Sequence, residues 1–145
     1  MMNTNNVTFN SLEYLNAVKI RKDVFVIEQN IPENLEVDEY ENSCQHFLTT
    51  VNDIPAGAGR LRVKDQYVKF ERIACLKNFR GTGVGSNLMQ KMLEFALKTY
   101  PDLTPYMHSQ TIAVAFYEKL GWIPSGEIFY EAGLPHLAMI YKVQK

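Results

Sequence analysis

The chain has 145 residues, and the usual domain size of about 150 residues predicts a single domain over 1–145. Hydrophobic residues make up 46% and charged residues 21% of the sequence, a composition that excludes a disordered, collagen-like or coiled-coil chain. Lys and Arg number 15 and Asp and Glu number 16, so the net charge of −1 provides no electrostatic attraction toward nucleic acid or anionic lipid. We therefore expect a small-molecule partner, and neither nucleic acid nor a membrane.

The cysteines and the first residues are typical of a cytoplasmic protein. Cys44 and Cys75 are far apart and outside any Cys-x-x-Cys pattern, so neither a disulfide framework nor a zinc site is expected. The three histidines also lack metal-ligand spacing, and we expect no metal. The first six residues do not resemble a signal peptide, and no apolar run approaches the roughly 18 residues of a membrane span. A homodimer stays open, because small domains with terminal strands often pair.

Hydrophobic spacing in the first half predicts a short strand at residues 7–9 and a helix that Ser11 caps and that runs to about Gln29. Residues 32–41 hold five carboxylates and are expected to form a solvated loop, although this loop could also steer a cationic amine. Strands are predicted at 46–51, 58–63 and 67–75.

The second and third of these strands are predicted to form a hairpin. A turn centred on residues 65 and 66 places Arg60 opposite Glu71 on one face of the hairpin. The same register places Arg62 opposite Lys69, which is its one like-charged pair.

The second half predicts a long helix that ends near Thr99, a strand at 103–108, a short helix and two closing strands at 127–131 and 136–142. The short helix is expected to bury a stripe of Ile112, Phe116 and Leu120. This order predicts an α/β (α+β) fold, with a mixed, largely antiparallel central sheet and helices on both faces.

A glycine-rich turn precedes the long helix. Three glycines let the backbone approach a ligand closely, and the free N–H groups at a helix start favour a phosphate or diphosphate. A P-loop is excluded because no Gly-Lys-Ser/Thr follows, and a dinucleotide fingerprint would need glycine where Ser86 stands. The alternative is that the glycines only shape a tight turn. The segment consists of Arg80, Gly81, Thr82, Gly83, Val84, Gly85 and Ser86.

The turn fits the acyl-CoA-binding motif Arg/Gln-x-x-Gly-x-Gly/Ala, with Arg80, Gly83 and Gly85 on its defining positions. The chain resembles the GCN5-related N-acetyltransferase (GNAT) superfamily, and the resemblance extends over nearly the whole chain. Residues 24–29 and 131–139 are similar to the ElaA/YjcF-like branch of that superfamily.

This resemblance implies a GNAT-type fold and acetyl-CoA as the co-substrate of an N-acetyltransferase, while the amine acceptor stays open. By position, the backbone of Ile73, Ala74 and Cys75 would contact the pantetheine arm and the acetyl group, and the glycine turn would hold the diphosphate. Gln110 and Phe116 would complete the cofactor site. Many relatives have Asn where Gln110 stands, which puts a pantetheine contact from that side chain in question.

Acetyl transfer to an amine needs a neutral nucleophile, donors for the oxyanion and a proton for the departing thiolate. A lysine-like amine has a pKa of about 10.4, and deprotonating it at neutral pH costs about 4 to 5 kcal/mol. Glu71 is the first candidate base, because strand alternation would place it on the face of Ile73 and Cys75. A structural pair with Arg60 is the other interpretation, and the two are compatible.

Tyr117 is the candidate acid, since the family usually has tyrosine here and the residue lies at the edge of the predicted apolar stripe. Glu28, Gln29 and His108 are expected to line the acceptor side. Cys75 is expected to be a wall of the cofactor slot, so transfer should be direct. A non-catalytic acyl-CoA-binding or sensing domain is the alternative function.

Overall fold

The computed structural model describes residues 1–142, so the last three residues of the predicted domain lie outside the described residues. The strands are β1 (Met2–Val7), β2 (Gln45–Val51), β3 (Ile54–Lys64), β4 (Tyr67–Cys75), β5 (Thr104–Gln110), β6 (Trp122–Glu131) and β7 (Leu134–Tyr141). The helices are α1 (Leu12–Arg21), α2 (Glu33–Glu36), α3 (Val84–Thr99) and α4 (Val114–Lys119).

The seven strands form one sheet in the order β1-β2-β3-β4-β5-β7-β6. Every neighbouring pair is antiparallel except β4 and β5, which are parallel and are joined through α3. Helix α1 packs on one face of the sheet, where Ala17 and Ile20 contact Leu48. Helix α3 packs on the other face, where Met92 lies in the main core with Phe70. The predicted mixed, largely antiparallel sheet between helices is confirmed.

Most predicted elements of the first half are present. Ser11 caps α1, and its hydroxyl accepts a hydrogen bond of 3.1 Å from the Tyr14 N–H. The helix continues as a π-helical segment over Lys22–Glu28, as far as the sequence predicted. The first strand begins earlier than predicted and ends at Val7. The β3–β4 hairpin has the predicted register, with Arg60 opposite Glu71 and Arg62 opposite Lys69.

The expectation of a solvated acidic loop at 32–41 is wrong for three of its five carboxylates, since only Glu33 and Glu39 are exposed. Glu36 and Glu41 are only 2% and 5% exposed, because they bind the fully buried guanidinium groups of Arg21 and Arg60. Asp38 also accepts two hydrogen bonds from Arg60, of 2.8 and 2.9 Å. The carboxylates therefore fasten this segment to the sheet. Burial opposes ionisation of Glu41, but hydrogen bonds and charge from Arg21 outweigh it and lower the pKa to about 2.

The predicted apolar stripe of the short helix is also wrong. Ile112 is 87% exposed and Phe116 is 37% exposed, whereas Tyr117 is buried at 7%. Residues Thr111–Ala113 form a 3₁₀ turn, and α4 begins only at Val114, so helical spacing does not extend back to Ile112.

A bulge in β4 breaks its alternation. Ala58 pairs with Ala74 and Arg60 with Glu71, so β4 has one more residue than β3 in this interval. Arg72 adopts a φ of 58° within the bulge. Ile73 packs with the core under α3, while Glu71 lies with Arg60 on the α1 face. Strand alternation had predicted that Glu71 and Ile73 share one face of the sheet. The bulge places them on opposite faces, so that prediction is wrong.

We expect Glu41→Gln to lower the free energy of unfolding by about 3 kcal/mol, because it removes the carboxylate that the two buried guanidinium groups of Arg21 and Arg60 share. Glu33→Gln is the matched control, since Glu33 pairs with Lys22 at the surface, where both side chains are more than 40% exposed. The control should change stability by less than about 0.5 kcal/mol. Urea denaturation of both variants at pH 7 measures the difference, and equal effects would contradict the network.

The stability difference between the wild type and Glu41→Gln should depend on pH, and the lowered pKa of Glu41 gives the sign of this dependence. A carboxylate with a lowered folded pKa stabilises the fold above its unfolded pKa, and this contribution is lost as the pH falls through the folded value. The gap between wild type and Glu41→Gln should therefore close between the ordinary pKa of 4.5 and about pH 2.

Candidate active site

Strands β4 and β5 pair at one end of the sheet and separate at the other. Their pairing covers only residues 67–70 of β4 and 104–107 of β5, although both strands continue. Beyond Phe70 and Met107, the edge of β4 that faces β5 has no strand partner at residues 71–75 among the described residues, although the other edge still pairs with β3. A slot with free backbone groups therefore opens in the middle of the sheet, and an extended ligand could add to this edge.

The glycine turn lies between the end of β4 and α3. Gly83 is the N-cap of α3 with a φ of 93°, and its carbonyl accepts the first helical hydrogen bond, from Asn87, at 3.0 Å. The N–H groups of Val84, Gly85 and Ser86 thus precede the first intrahelical donor. A Cβ added at Gly81 or Gly83 would meet nothing within 4 Å, so the turn faces open space. Free N–H groups beside open space at a helix start fit a diphosphate.

Helix α4 places two aromatic residues beside this turn. A Cβ added at Gly85 would lie 3.1 Å from the ring of Phe116, so glycine is what allows Phe116 to pack against the helix start. The rings of Phe116 and Tyr117 meet edge to face at 5.1 Å. Burial raises the pKa of Tyr117, which keeps the phenol protonated.

Glu28 and Gln29, at the end of the π-helical segment, form hydrogen bonds with both sides of the slot. One side is the glycine turn after β4, and the other is the end of β5. Glu28 binds Arg80 through two contacts of 2.7 and 2.8 Å, while the Arg80 Nε donates to the Cys75 carbonyl at 3.1 Å. Gln29 accepts a hydrogen bond of 2.8 Å from Gln110 at the end of β5. The structure thus brings Glu28 to the predicted cofactor turn, and Gln29 to a predicted cofactor residue.

The predicted pair of Glu71 and Arg60 is present. Glu71 accepts hydrogen bonds of 3.0 Å from Arg60 and 3.1 Å from Arg62, and Lys69 lies 3.4 Å away. Burial opposes ionisation of Glu71, but these charges, led by that of Arg60, lower its pKa. This environment favours a permanent carboxylate.

His108 lies on β5 just past the last residue that pairs with β4. Its ring contacts two residues that the sequence analysis did not select, the Tyr106 phenol at 2.9 Å and the Glu131 carboxylate at 3.2 Å. Alternation could have identified Tyr106, which is two residues before His108 in the same strand. Glu131 comes from β6, and only the long-range order of the strands brings it close.

A cavity of about 220 Å³ lies beside His108 and Tyr106. A larger cavity of about 590 Å³ lies between β1, β2 and the start of α1, but no predicted site residue lines it. Within the described chain, no three His, Cys, Asp or Glu side chains are grouped to hold a metal ion. None of the helices described over residues 1–142 has the length and apolar character needed to span a membrane.

Comparison with known sequences identifies the family. A family model described as an acetyltransferase (GNAT) domain matches residues 13–143, and the chain belongs to this family. It is 42% identical over 132 residues to YjcF of Bacillus subtilis, an uncharacterized N-acetyltransferase, with 90% of this chain and 94% of YjcF covered. It is 32% identical over 130 residues to the protein ElaA of Escherichia coli, with 87% and 85% covered. The resemblance to the ElaA/YjcF-like branch is confirmed.

Solved structures show the same fold. The crystal structure of Escherichia coli ElaA matches with a TM-score of 0.86 at 30% identity, over 98% of this chain and 100% of that one. A GNAT family acetyltransferase from Elizabethkingia anophelis with acetyl-CoA bound matches with a TM-score of 0.64 at 17% identity, over 96% and 94% of the two chains. The expected GNAT-type architecture is confirmed.

The two thiols should react slowly under native conditions. Burial raises the pKa of Cys75, against an opposing effect of Arg80, and burial raises the pKa of Cys44 to about 11. At pH 7.5 we expect Ellman's reagent to modify Cys75 at least about tenfold more slowly than free cysteine, and the buried Cys44 more slowly still. Stopped-flow absorbance measures both rates, with the urea-unfolded chain as control. A native Cys75 as reactive as free cysteine would contradict this environment.

Proposed function

We propose that the protein is an acetyl-CoA-dependent N-acetyltransferase that transfers the acetyl group directly to a primary amine of a small-molecule acceptor. The observation that carries the proposal is the opening of β4 from β5 directly beside the free N–H groups at the start of α3. One end of this arrangement fits a diphosphate, and the other fits an extended arm that carries a thioester.

Residues around the glycine turn support the proposal that acetyl-CoA is the acetyl donor. N–H groups of residues 81–86 would bind the diphosphate, and the open edge of β4 near Ile73 would pair with the pantetheine arm. Phe116, Gln110 and Cys75 would border this path. Acetyl-CoA brings the activated acetyl group, and these residues orient it.

The chemistry is supported by where the reactive side chains lie. Tyr117 is in the core beside Phe116, so its protonated phenol would supply a proton to the departing sulfur. The raised pKa of the Cys75 thiol leaves little thiolate to form an acyl-enzyme, which favours direct transfer.

The function is tested by thiol release from acetyl-CoA with a panel of primary amines, namely ethanolamine, lysine, spermidine, tyramine and kanamycin. Tyr117→Phe should lower kcat by about 100-fold without weakening acetyl-CoA binding, because only the proton donor is lost. Tyr141→Phe is the matched control, since it removes a phenol oxygen from the same core without approaching the turn. Acetyl-CoA binding without thiol release for any amine would favour a sensing domain and contradict an enzyme.

Substitution of two glycines that have nearly the same positive φ tests whether the glycine turn binds coenzyme A. Gly83 has a φ of 93° and Gly126, in β6, has a φ of 89°, and an added Cβ meets nothing within 4 Å at either position. Alanine at each position should therefore cost about the same stability, on the order of 1 to 2 kcal/mol. Only Gly83→Ala should weaken coenzyme A binding, by about tenfold or more in calorimetry. Equal affinities for the two variants would place the diphosphate elsewhere.

A further inference from the structure

His108 directly follows Met107, the last residue of β5 that pairs with β4, so it lies where the slot begins. Its side chain is on the same sheet face as that of Glu71. The preceding residue, Met107, is buried in the core that α3 and α4 cover. Alternation along β5 turns the His108 side chain to the opposite face, where it stays 24% exposed. Tyr117 belongs to the same core as Met107. The phenol and the imidazole therefore approach the slot from opposite faces of the sheet.

Hydrogen bonds on both ring nitrogens fix the imidazole. The Glu131 carboxylate can only accept, so the His108 Nδ1, 3.2 Å away, carries a hydrogen, and in the neutral imidazole Nε2 then holds the lone pair. The Tyr106 phenol oxygen lies 2.9 Å from Nε2 and donates to it in this neutral form. The ring of Phe129 packs edge-on against the imidazole at 4.8 Å. The lone pair of an oriented imidazole thus already receives a hydrogen bond beside the cavity.

Groups of both charges surround this ring. The cavity beside His108 is lined by Lys64, Asp65, Tyr67, Lys69 and Tyr106. From β7, the His136 Nε2 lies 3.9 Å from the second carboxylate oxygen of Glu131. Glu131 is the acid in contact with the His108 ring, and the pKa of Glu131 is lowered, chiefly by the hydrogen bond from His108.

Glu71 faces the same side but is poorly suited to take a proton. Its carboxylate is shared by three cations, led by Arg60, and protonation would leave the buried Arg60 with a weaker charge partner. His108 has one carboxylate partner, on the nitrogen that a base does not use. Because a base needs a reachable lone pair, the geometry favours His108 over Glu71.

We propose that His108 is the general base of the reaction and that Glu131 is its positioning residue, an inference that rests on the proposed function. His108 Nε2 takes a proton from the acceptor ammonium, in the place of the Tyr106 hydrogen bond. The freed amine forms the C–N bond at the acetyl carbonyl carbon, and the C–S bond breaks with its electron pair on sulfur. Tyr117 protonates the sulfur and regains a proton that the new amide nitrogen loses, and His108 releases its proton to solvent.

The test compares His108→Gln, His108→Ala and Glu131→Gln with the wild type, on the best amine of the panel, from pH 5.5 to 9. His108→Gln should lower kcat by about 100-fold or more with an unchanged KM for acetyl-CoA, and should lose the rise of activity with pH that an imidazole base produces. Added imidazole should restore part of the activity of His108→Ala. Glu131→Gln should lower kcat by about tenfold at unchanged KM. His136→Gln is the control, because its ring contacts the same Glu131 but does not line the cavity.

The outcomes separate the two proposals. If the wild type acetylates an amine and His108→Gln keeps kcat within about threefold and the same pH profile, His108 is not the base while the acetyltransferase stands. If the wild type binds acetyl-CoA but acetylates no amine, both proposals are overturned. A loss that imidazole does not restore and that His136→Gln shares would show a structural role only.

Discussion

The bulge in β4 at Arg72 is the constraint on which the candidate site depends. A non-glycine residue at a φ of 58° is unfavourable by about 1 kcal/mol or more, so this conformation must be held from outside the strand. The Arg72 guanidinium donates to the carbonyls of Leu35 and Glu36 and to the carboxylate of Asp38. Asp38 in turn binds the buried Arg60. The acidic segment after α1 therefore maintains the backbone shape at which β4 leaves β5.

The two faces of the sheet carry different functional groups at the slot. The face under α3 carries the glycine turn and the phenol of Tyr117, which suit the donor. The face under α1 carries Glu71, bound by three cations, and the imidazole of His108, which suit the acceptor. Direct transfer needs the amine to reach one face of the thioester carbonyl while the departing thiolate stays within reach of a proton donor. A slot that is open to both faces of the sheet is compatible with this geometry.

Sequence patterns predicted the parts of the fold that depend on local spacing. The hairpin register followed from the turn at residues 65 and 66, and the end of α3 near Thr99 followed from its apolar periodicity. The bulge at Arg72 was not predicted, because nothing in the local alternation indicates an inserted residue. The acidic segment at 32–41 was predicted to be a solvated loop, because the arginines that bind its carboxylates lie far away in the sequence, on α1 and β3. Glu131 was missed for the same reason, because only tertiary pairing brings it to His108.

The central claim is that coenzyme A enters through the slot between β4 and β5, with its diphosphate on the turn that begins α3. The most direct measurement is a crystal structure of the full chain with coenzyme A. The account predicts diphosphate oxygens within hydrogen-bond distance of main-chain N–H groups of residues 81–86, and a pantetheine arm paired with residues 71–75 of β4. Coenzyme A bound at another surface, with the turn and the open strand edge free of it, would contradict the account.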